Sequence, residues 1–378
     1  MRREICAVVV AAIAAGFCVV PARGDDVAWS QIGLNNVIVT KLVFSPSFAL
    51  DHTMFAGTTA PTIYRSTDGG ANWQSLPIMT SSVYSAVAEI LPSPAYRFGG
   101  PDQQVVLSGA GEFYISRSDD SGATWSPSNM DPRDTTWGMA ISPNFVVDGT
   151  LLAATNSNMQ KSSDGGRHFS YSGQGLPYSN TFKVAFSAAF ATDQTAFAGM
   201  YGSGVGVYKT VDGGANWMES GAGLPIAGGY VVTQVAVSPA YATDHTLFAG
   251  IEASGLFRSQ DAGATWQRIS ASGSPYHGVF GLSPNFATDH TIVTPTVDGL
   301  KISTNGGETW DMINNAPFRG DWDIYGGGHI FSPNYASDHT LYVATDNGIW
   351  AAAIPEPGSS GLVLIIGIAG LGWGRRRA

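Results

Sequence analysis

The sequence predicts an all-β fold, a β-propeller of seven four-stranded blades closed into a ring by its N-terminal strand. Three observations carry that expectation: two motifs that alternate along the chain, a repeat as long as one blade, and a last repeat whose missing strand stands at the other end of the domain. The first motif is an apolar strand ending in Ser-Pro, an aromatic two residues on, then Asp and Thr before a second strand. It reads Val43-Phe44-Ser45-Pro46-Ser47-Phe48 with Asp51-His52-Thr53-Met54-Phe55-Ala56, and recurs at Ser142-Pro143, Ser187-Ala188, Ser238-Pro239, Ser283-Pro284 and Ser332-Pro333. Ser93-Pro94-Ala95-Tyr96 is a degenerate copy with an altered turn. The serines of these seven copies lie 45 to 51 residues apart, the size of one blade of four short strands.

The second motif, here the box, is Ser/Thr-x-Asp-x-Gly-x-x-Trp. It occurs as Ser66 to Trp73, Ser118 to Trp125, Thr210 to Trp217 and Ser259 to Trp266; Ser162 to Phe169 replaces Trp by Phe, and Ser303 to Trp310 replaces Asp by Asn305. These six copies in register resemble the Asp-box, or BNR, repeats of sortilin-like propellers. Each position suits a hairpin. The carboxylate accepts backbone N–H groups of the turn, the glycine takes a backbone conformation closed to other residues, and the Trp buries a large ring between neighbouring sheets. Asp68, Asp120, Asp164, Asp212, Asp261 and Asn305 are therefore read as structural, since no box has the ligand pattern of a calcium loop.

In the first repeat the strands fall near Ile38 to Phe44, Thr53 to Gly57, Thr62 to Arg65 and Asn72 to Leu76, each bounded by turn residues. The last repeat offers strands near Thr340 to Ala344 and Gly348 to Ala352, then has neither box nor fourth strand. Asp26-Val27-Ala28-Trp29-Ser30-Gln31-Ile32 reads like the Trp-bearing fourth strands, and its pairing with the last blade would close the ring and remove open sheet edges.

Segments flank this domain. Residues 1–24 combine Arg2 and Arg3, the apolar run Ala7 to Val20 and the small-residue site Ala22-Arg23-Gly24, which reads as a secretory signal peptide. Residues 355–378 begin with Pro355-Glu356-Pro357, continue through an apolar stretch to Trp373 and end on Arg375-Arg376-Arg377. That order resembles the PEP-CTERM sorting signal of Gram-negative bacteria. The resemblance implies transient inner-membrane anchoring with the arginines cytoplasmic, cleavage near the triplet by an exosortase-type enzyme, and delivery to the cell surface or the extracellular matrix. Residues 25–354 are then the propeller domain.

Both cysteines, Cys6 and Cys18, belong to the signal, so the domain is expected to hold by packing without a disulfide. Without the flanking segments, 13 basic residues stand against 27 acidic ones, net −14. Such a surface repels nucleic acid, which is not expected as a partner.

Repetition argues against chemistry at the histidines. His52, His245, His290 and His339 share one turn position in four blades, so symmetry spreads them around a rim where they cannot gather on one metal. No metal or cofactor is expected. Departures from the repeat are the candidates for ligand binding: Arg319, Asp321, Trp322, Asp323 and Tyr325 in the stretch 314–329, Asp131, Arg133, Asp134 and Trp137 in 130–137, and Tyr230, Tyr276 and His277 where other blades begin. Carboxylates mixed with aromatics suit a carbohydrate, whose hydroxyls take hydrogen bonds while its C–H faces stack on rings; the same rings could instead plug the channel.

Asp boxes also occur in sialidases, xyloglucan-cleaving glycosidases, sortilin-type receptors and a photosystem II assembly factor, and fold kinship alone transfers none of these activities. A sialidase would need an arginine triad, whereas only eight arginines remain in the domain and Arg65, Arg117 and Arg258 directly precede boxes. The xyloglucanases resemble a pair of propellers about a cleft, whereas this chain holds one. The expected function is a non-catalytic surface module binding glycan or protein. The alternative is a glycoside hydrolase or lyase, with Asp321 or Asp323 opposite Glu252 or Asp131 as catalytic candidates.

Overall fold

The fold is set by what each strand must bury. In the innermost strand of blade 1, Val39–Phe44, both Val39 and Leu42 are fully buried, although strict alternation would put residues three apart on opposite faces. A bulge between Val39 and Lys41 resolves the conflict. The same irregularity recurs between Val87 and Glu89, Thr136 and Gly138, Thr181 and Lys183, and Val232 and Gln234.

The structure, a computed structural model, describes residues 27–354 except 61, 77–85, 101–104, 111–114, 131–133, 178–179, 203–205, 226–230, 270–277, 297–298, 314–315 and 317–328. Within it the chain forms seven antiparallel sheets of four strands each. Blade 1 comprises Val39–Phe44, Met54–Thr58, Ile63–Ser66 and Gln74–Leu76, paired in that order. Blades 2 to 6 repeat this order from inner strands Val87–Pro92, Thr136–Ile141, Asn180–Phe186, Val232–Val237 and Gly281–Leu282. Blade 7 is composite: His329–Phe331, Thr340–Thr345 and Gly348–Ala353 come from the end of the chain, and its outer strand Ser30–Gly33 from the beginning, with Ser30 opposite Ala351. The expected ring closure is thus observed, with the paired strand starting at Ser30 and Val27 buried ahead of it.

Two kinds of turn occupy one face, the box face. After the inner strand, Ser45 Oγ donates to Asp51 Oδ2 at 2.7 Å and Thr53 N–H donates to Asp51 Oδ1 at 2.9 Å, fixing the single helical turn Phe48–Asp51. That turn ends on His52 in the left-handed region, φ 48°. Gly149, Gln194, His245, His290 and His339 do the same in blades 3 to 7. The four histidines are therefore turn residues, each with its ring 5.6 to 5.9 Å from the aromatic that opens its own turn. Blade 2 lacks the Asp, and the N–H of Phe98 instead donates to Asp51 of blade 1.

The boxes share one hydrogen-bond plan. Asp68 Oδ1 accepts from Ser66 Oγ at 2.8 Å and from Asn72 N–H at 2.9 Å, while Ser66 Oγ accepts the Gly70 N–H at 2.8 Å. The second carboxylate oxygen takes the side chain of the seventh box residue: Asn72, Thr124, His168, Asn216 or Thr265. The box glycine needs its freedom, since Gly122 has φ +88° and a Cβ there would lie 2.6 Å from Leu76 of the preceding blade.

These contacts hold the box carboxylates below the ordinary range. Asp261, bonded to the Thr265 hydroxyl and N–H, is lowered to about 2, and Asp68, Asp120 and Asp212 shift the same way once their hydrogen bonds outweigh burial. A carboxyl depressed in the folded state adds stability that is complete above its unfolded value near 4 and is lost as pH falls through the folded value. Asn305 keeps the plan without a charge, so Asp261→Asn should fold normally. Its deficit in urea stability relative to the parent should be largest at pH 5 and close by pH 2; a constant gap would rule the assignment out.

The core lies between blades rather than within them. Seven apolar clusters occupy the seven interfaces, and each receives one box aromatic or its equivalent: Trp73, Trp125, Phe169, Trp217, Trp266, Trp310 and, at the interface of blades 6 and 7, Trp29. Indole N–H groups reach across, as Trp217 to Ser172 O at 2.7 Å and Trp266 to Ser220 O at 2.7 Å. Cations preceding the boxes clasp the next blade. Arg65 donates to Ser121 O at 2.7 Å, Lys161 to Gly213 O at 2.7 Å and Arg258 to Gly306 O at 2.9 Å.

Candidate functional site

In each of blades 1 to 6 one residue at or just before the inner strand faces the axis, the fourth before the serine of the Ser-Pro turn. In blades 1 to 6 these are Lys41, Glu89, Gly138, Lys183, Gln234 and Val279. All but Gly138 line, with residues above and below, a central cavity of about 760 Å³. The bulges turn this position toward the axis while keeping the next residue in the interblade core. Two residues further along the ring is apolar, with Val43, Leu91 and Gly281.

Glu89 organises the polar level. Its side chain is 6% exposed, with Oε2 2.8 Å from Lys41 Nζ and Oε1 3.3 Å from Lys183 Nζ. Lys41 comes from the adjacent blade, but Lys183 reaches over blade 3. Gly138 makes that possible, because a Cβ there would stand 2.7 Å from Phe182 O and 3.2 Å from Lys183 Cδ. Burial alone would raise the Glu89 pKa; the two ammonium groups outweigh it and hold the carboxyl below its usual range. Burial lowers the Lys183 pKa, with Glu89 opposing the shift. Gln234 spans to blade 6 as a peptide mimic, donating to Phe280 O at 2.8 Å and accepting the Phe280 N–H at 3.0 Å.

Above this level, on the loop face opposite the boxes, stands an aromatic shelf. Trp137 stacks on Phe182 with centroids 5.6 Å apart and planes 27° apart, and Phe182 lies 6.3 Å from Tyr201. Trp137 is 38% and Tyr201 46% exposed. Shelf and lysine are joined, since Lys183 Nζ donates to Trp137 O at 2.9 Å and sits 5.2 Å from the Phe182 ring centroid.

Of the residues singled out in the sequence, Trp137 is placed at this site. Glu252 directly follows the second strand of blade 5, Leu247–Ile251, its N–H on Val231 O at 2.9 Å, two blades away from Trp137. Asp134 is held by the Ser157 hydroxyl. Asp131, Arg133, Tyr230, Tyr276, His277, Arg319, Asp321, Trp322, Asp323 and Tyr325 lie outside the described residues, as do Pro355, Glu356 and Pro357. The polar level itself was missed. Its signal was the repeat register, which puts Lys, Glu, Gly, Lys and Gln at one symmetry position where a purely structural ring has no need of charge. Among the described residues no group of three His, Cys, Asp or Glu side chains could hold a metal, and no helix is long and apolar enough to cross a membrane.

No family model matches the chain, and no curated protein matches it. Solved structures do. A GH74 xyloglucanase from Xanthomonas campestris is 17% identical over 88% of this chain and 55% of its own, with a TM-score of 0.65. YCF48 bound to D1 peptide is 15% identical over 89% of this chain and 100% of its own, TM-score 0.60. The extracellular domain of a putative one component system from B. thetaiotaomicron is 12% identical over 87% and 40%, TM-score 0.61. The chain spans about half the length of the xyloglucanase and the whole of YCF48. At such identities the likeness is one of fold: the chain is a seven-bladed β-propeller of the same architecture as a hydrolase domain and as propellers with other roles.

Proposed function

We propose that this chain is an exported Asp-box propeller that binds glycan at the loop-face mouth of its channel without turning it over. The aromatic shelf carries the reading: Trp137, stacked on the half-buried Phe182, and Tyr201 beyond it stand exposed on a rigid strand scaffold and offer flat apolar area for the C–H face of a pyranose. The signal-like residues 1–24 and the PEP-CTERM-like residues 355–378 support export, transient anchoring and release to the cell surface by an exosortase-type enzyme. The xyloglucanase likeness is compatible with a saccharide ligand, and the carboxylate at the channel, Glu89, is not suited to the role of protonating acid. A glycosidase acid must be protonated near neutral pH, whereas Glu89 is kept ionised by two lysines.

Retention on a polysaccharide array tests this. The protein should be retained on a subset of glycans with no reducing ends released, and Trp137→Ala should weaken retention about tenfold, an aromatic contact being worth roughly 1.5 kcal/mol. Release of reducing ends would establish the hydrolase alternative instead.

A further inference from the structure

We infer that the saccharide taken at the loop-face mouth is anionic, its acid group held by Lys41 and Lys183. The inference deepens the glycan reading and rests on it. Lys41, Glu89 and Lys183 are the charged side chains among the described residues lining the cavity, so two cations meet one anion. Among the described residues of the channel one positive charge is thus left over, in a domain whose residues 25–354 carry net −14. Such a surplus is costly to enclose. Each lysine spends one contact on the carboxylate; Lys183 spends a second on Trp137 O, and Lys41 makes no other hydrogen bond among the described residues. Ammonium donors therefore remain for a group arriving from the cavity, where the two side chains are 20% and 24% exposed.

Position selects a saccharide acid. Lys183 Nζ lies 2.9 Å from the carbonyl of the very tryptophan that forms the shelf and 5.2 Å from the ring beneath it. Lys183 thus joins the shelf to the polar level, and a ring substituent of a pyranose resting against the exposed Trp137 is placed to meet that ammonium. A neutral sugar in the same pose would displace water from the lysines and return no countercharge. A uronate or a sulfate ester supplies one, and a lysine, as a point charge, accepts either.

Binding of trigalacturonic acid to the full-length protein, followed by calorimetry, tests the assignment beside its methyl ester, a sulfated galactose trimer, neutral galactotriose and triglutamate. The acid or the sulfated trimer should bind at least about tenfold more tightly than ester and neutral trimer, and whichever of the two binds names the acid group. Lys183→Gln should erase that preference, Lys183→Arg should retain it, and Trp137→Ala should weaken charged and neutral saccharides alike. Lys41→Gln gives the same reading should Lys183→Gln melt early. Equal affinity for charged and neutral trimers, lost in Trp137→Ala, would overturn the inference and leave the glycan reading standing. Binding of triglutamate alone, or of no saccharide, would overturn both.

Discussion

A chain that begins at Asn35 is expected to lose most of its folding free energy and its single cooperative transition. Removing Val27 to Leu34 takes the outer strand from blade 7 and leaves Gly348–Ala353 as an open edge. It also strips two interfaces at once, since Val27 and Trp29 belong to the cluster between blades 6 and 7, and Ile32 and Leu34 to that between blades 7 and 1. One buried and three partly buried apolar side chains amount to roughly 5 kcal/mol, a large share of a domain stability of about 5–15 kcal/mol. The measurement is chaotrope unfolding followed by tryptophan fluorescence and far-UV circular dichroism. The shortened chain should unfold at much lower chaotrope with the two probes no longer coincident. Superimposable curves for the two chains would show that the ring does not depend on this strand.

Replacement of Glu89 by Ala is expected to cost about 3–5 kcal/mol, because it leaves the largely buried Lys41 and Lys183 facing each other without their shared counter-ion. Truncating a surface carboxylate would cost well under 1 kcal/mol, so the size of the effect reports burial. The deficit should shrink as pH rises toward 10, since a buried ammonium has its pKa depressed and becomes cheap to enclose once neutral. Lys41→Met with Lys183→Met in the Glu89→Ala background should recover most of the loss. If that triple variant were no better than Glu89→Ala, the damage would lie in packing and not in uncompensated charge.

The frame was legible in the sequence because it is written several times over. Six boxes and seven Ser-Pro-type turns fixed the blade number, and Trp29 was recognisable as a box tryptophan without its box; in the structure it occupies the same kind of interface as Trp266. The geometry within a box was only half visible. The Asp and Gly announced themselves, while the hydroxyl or amide at the seventh position became meaningful once its bond to the second carboxylate oxygen was seen. The channel was hidden for a physical reason. Lys41, Glu89 and Lys183 are 48 and 94 residues apart, and a bulge, which has no strong sequence signature, decides which way they point. A one-residue difference in register would have sent them into the interblade core.

The composite blade has a mechanical meaning as well. Ile354 is the last described residue and donates its N–H to His339 O at 2.8 Å, on the box face, while the shelf is on the opposite face. A force applied between Ile354 and the shelf would therefore run along the length of Gly348–Ala353. That strand is flanked on both sides by antiparallel neighbours, Thr340–Thr345 and Ser30–Gly33, so its hydrogen bonds resist as parallel springs loaded together in shear. Pulling the two ends of the domain apart is the opposite case. Val27 and Ile354 share one cluster at one end of the same strand pair, and the seam there would open like a zip, one bond at a time.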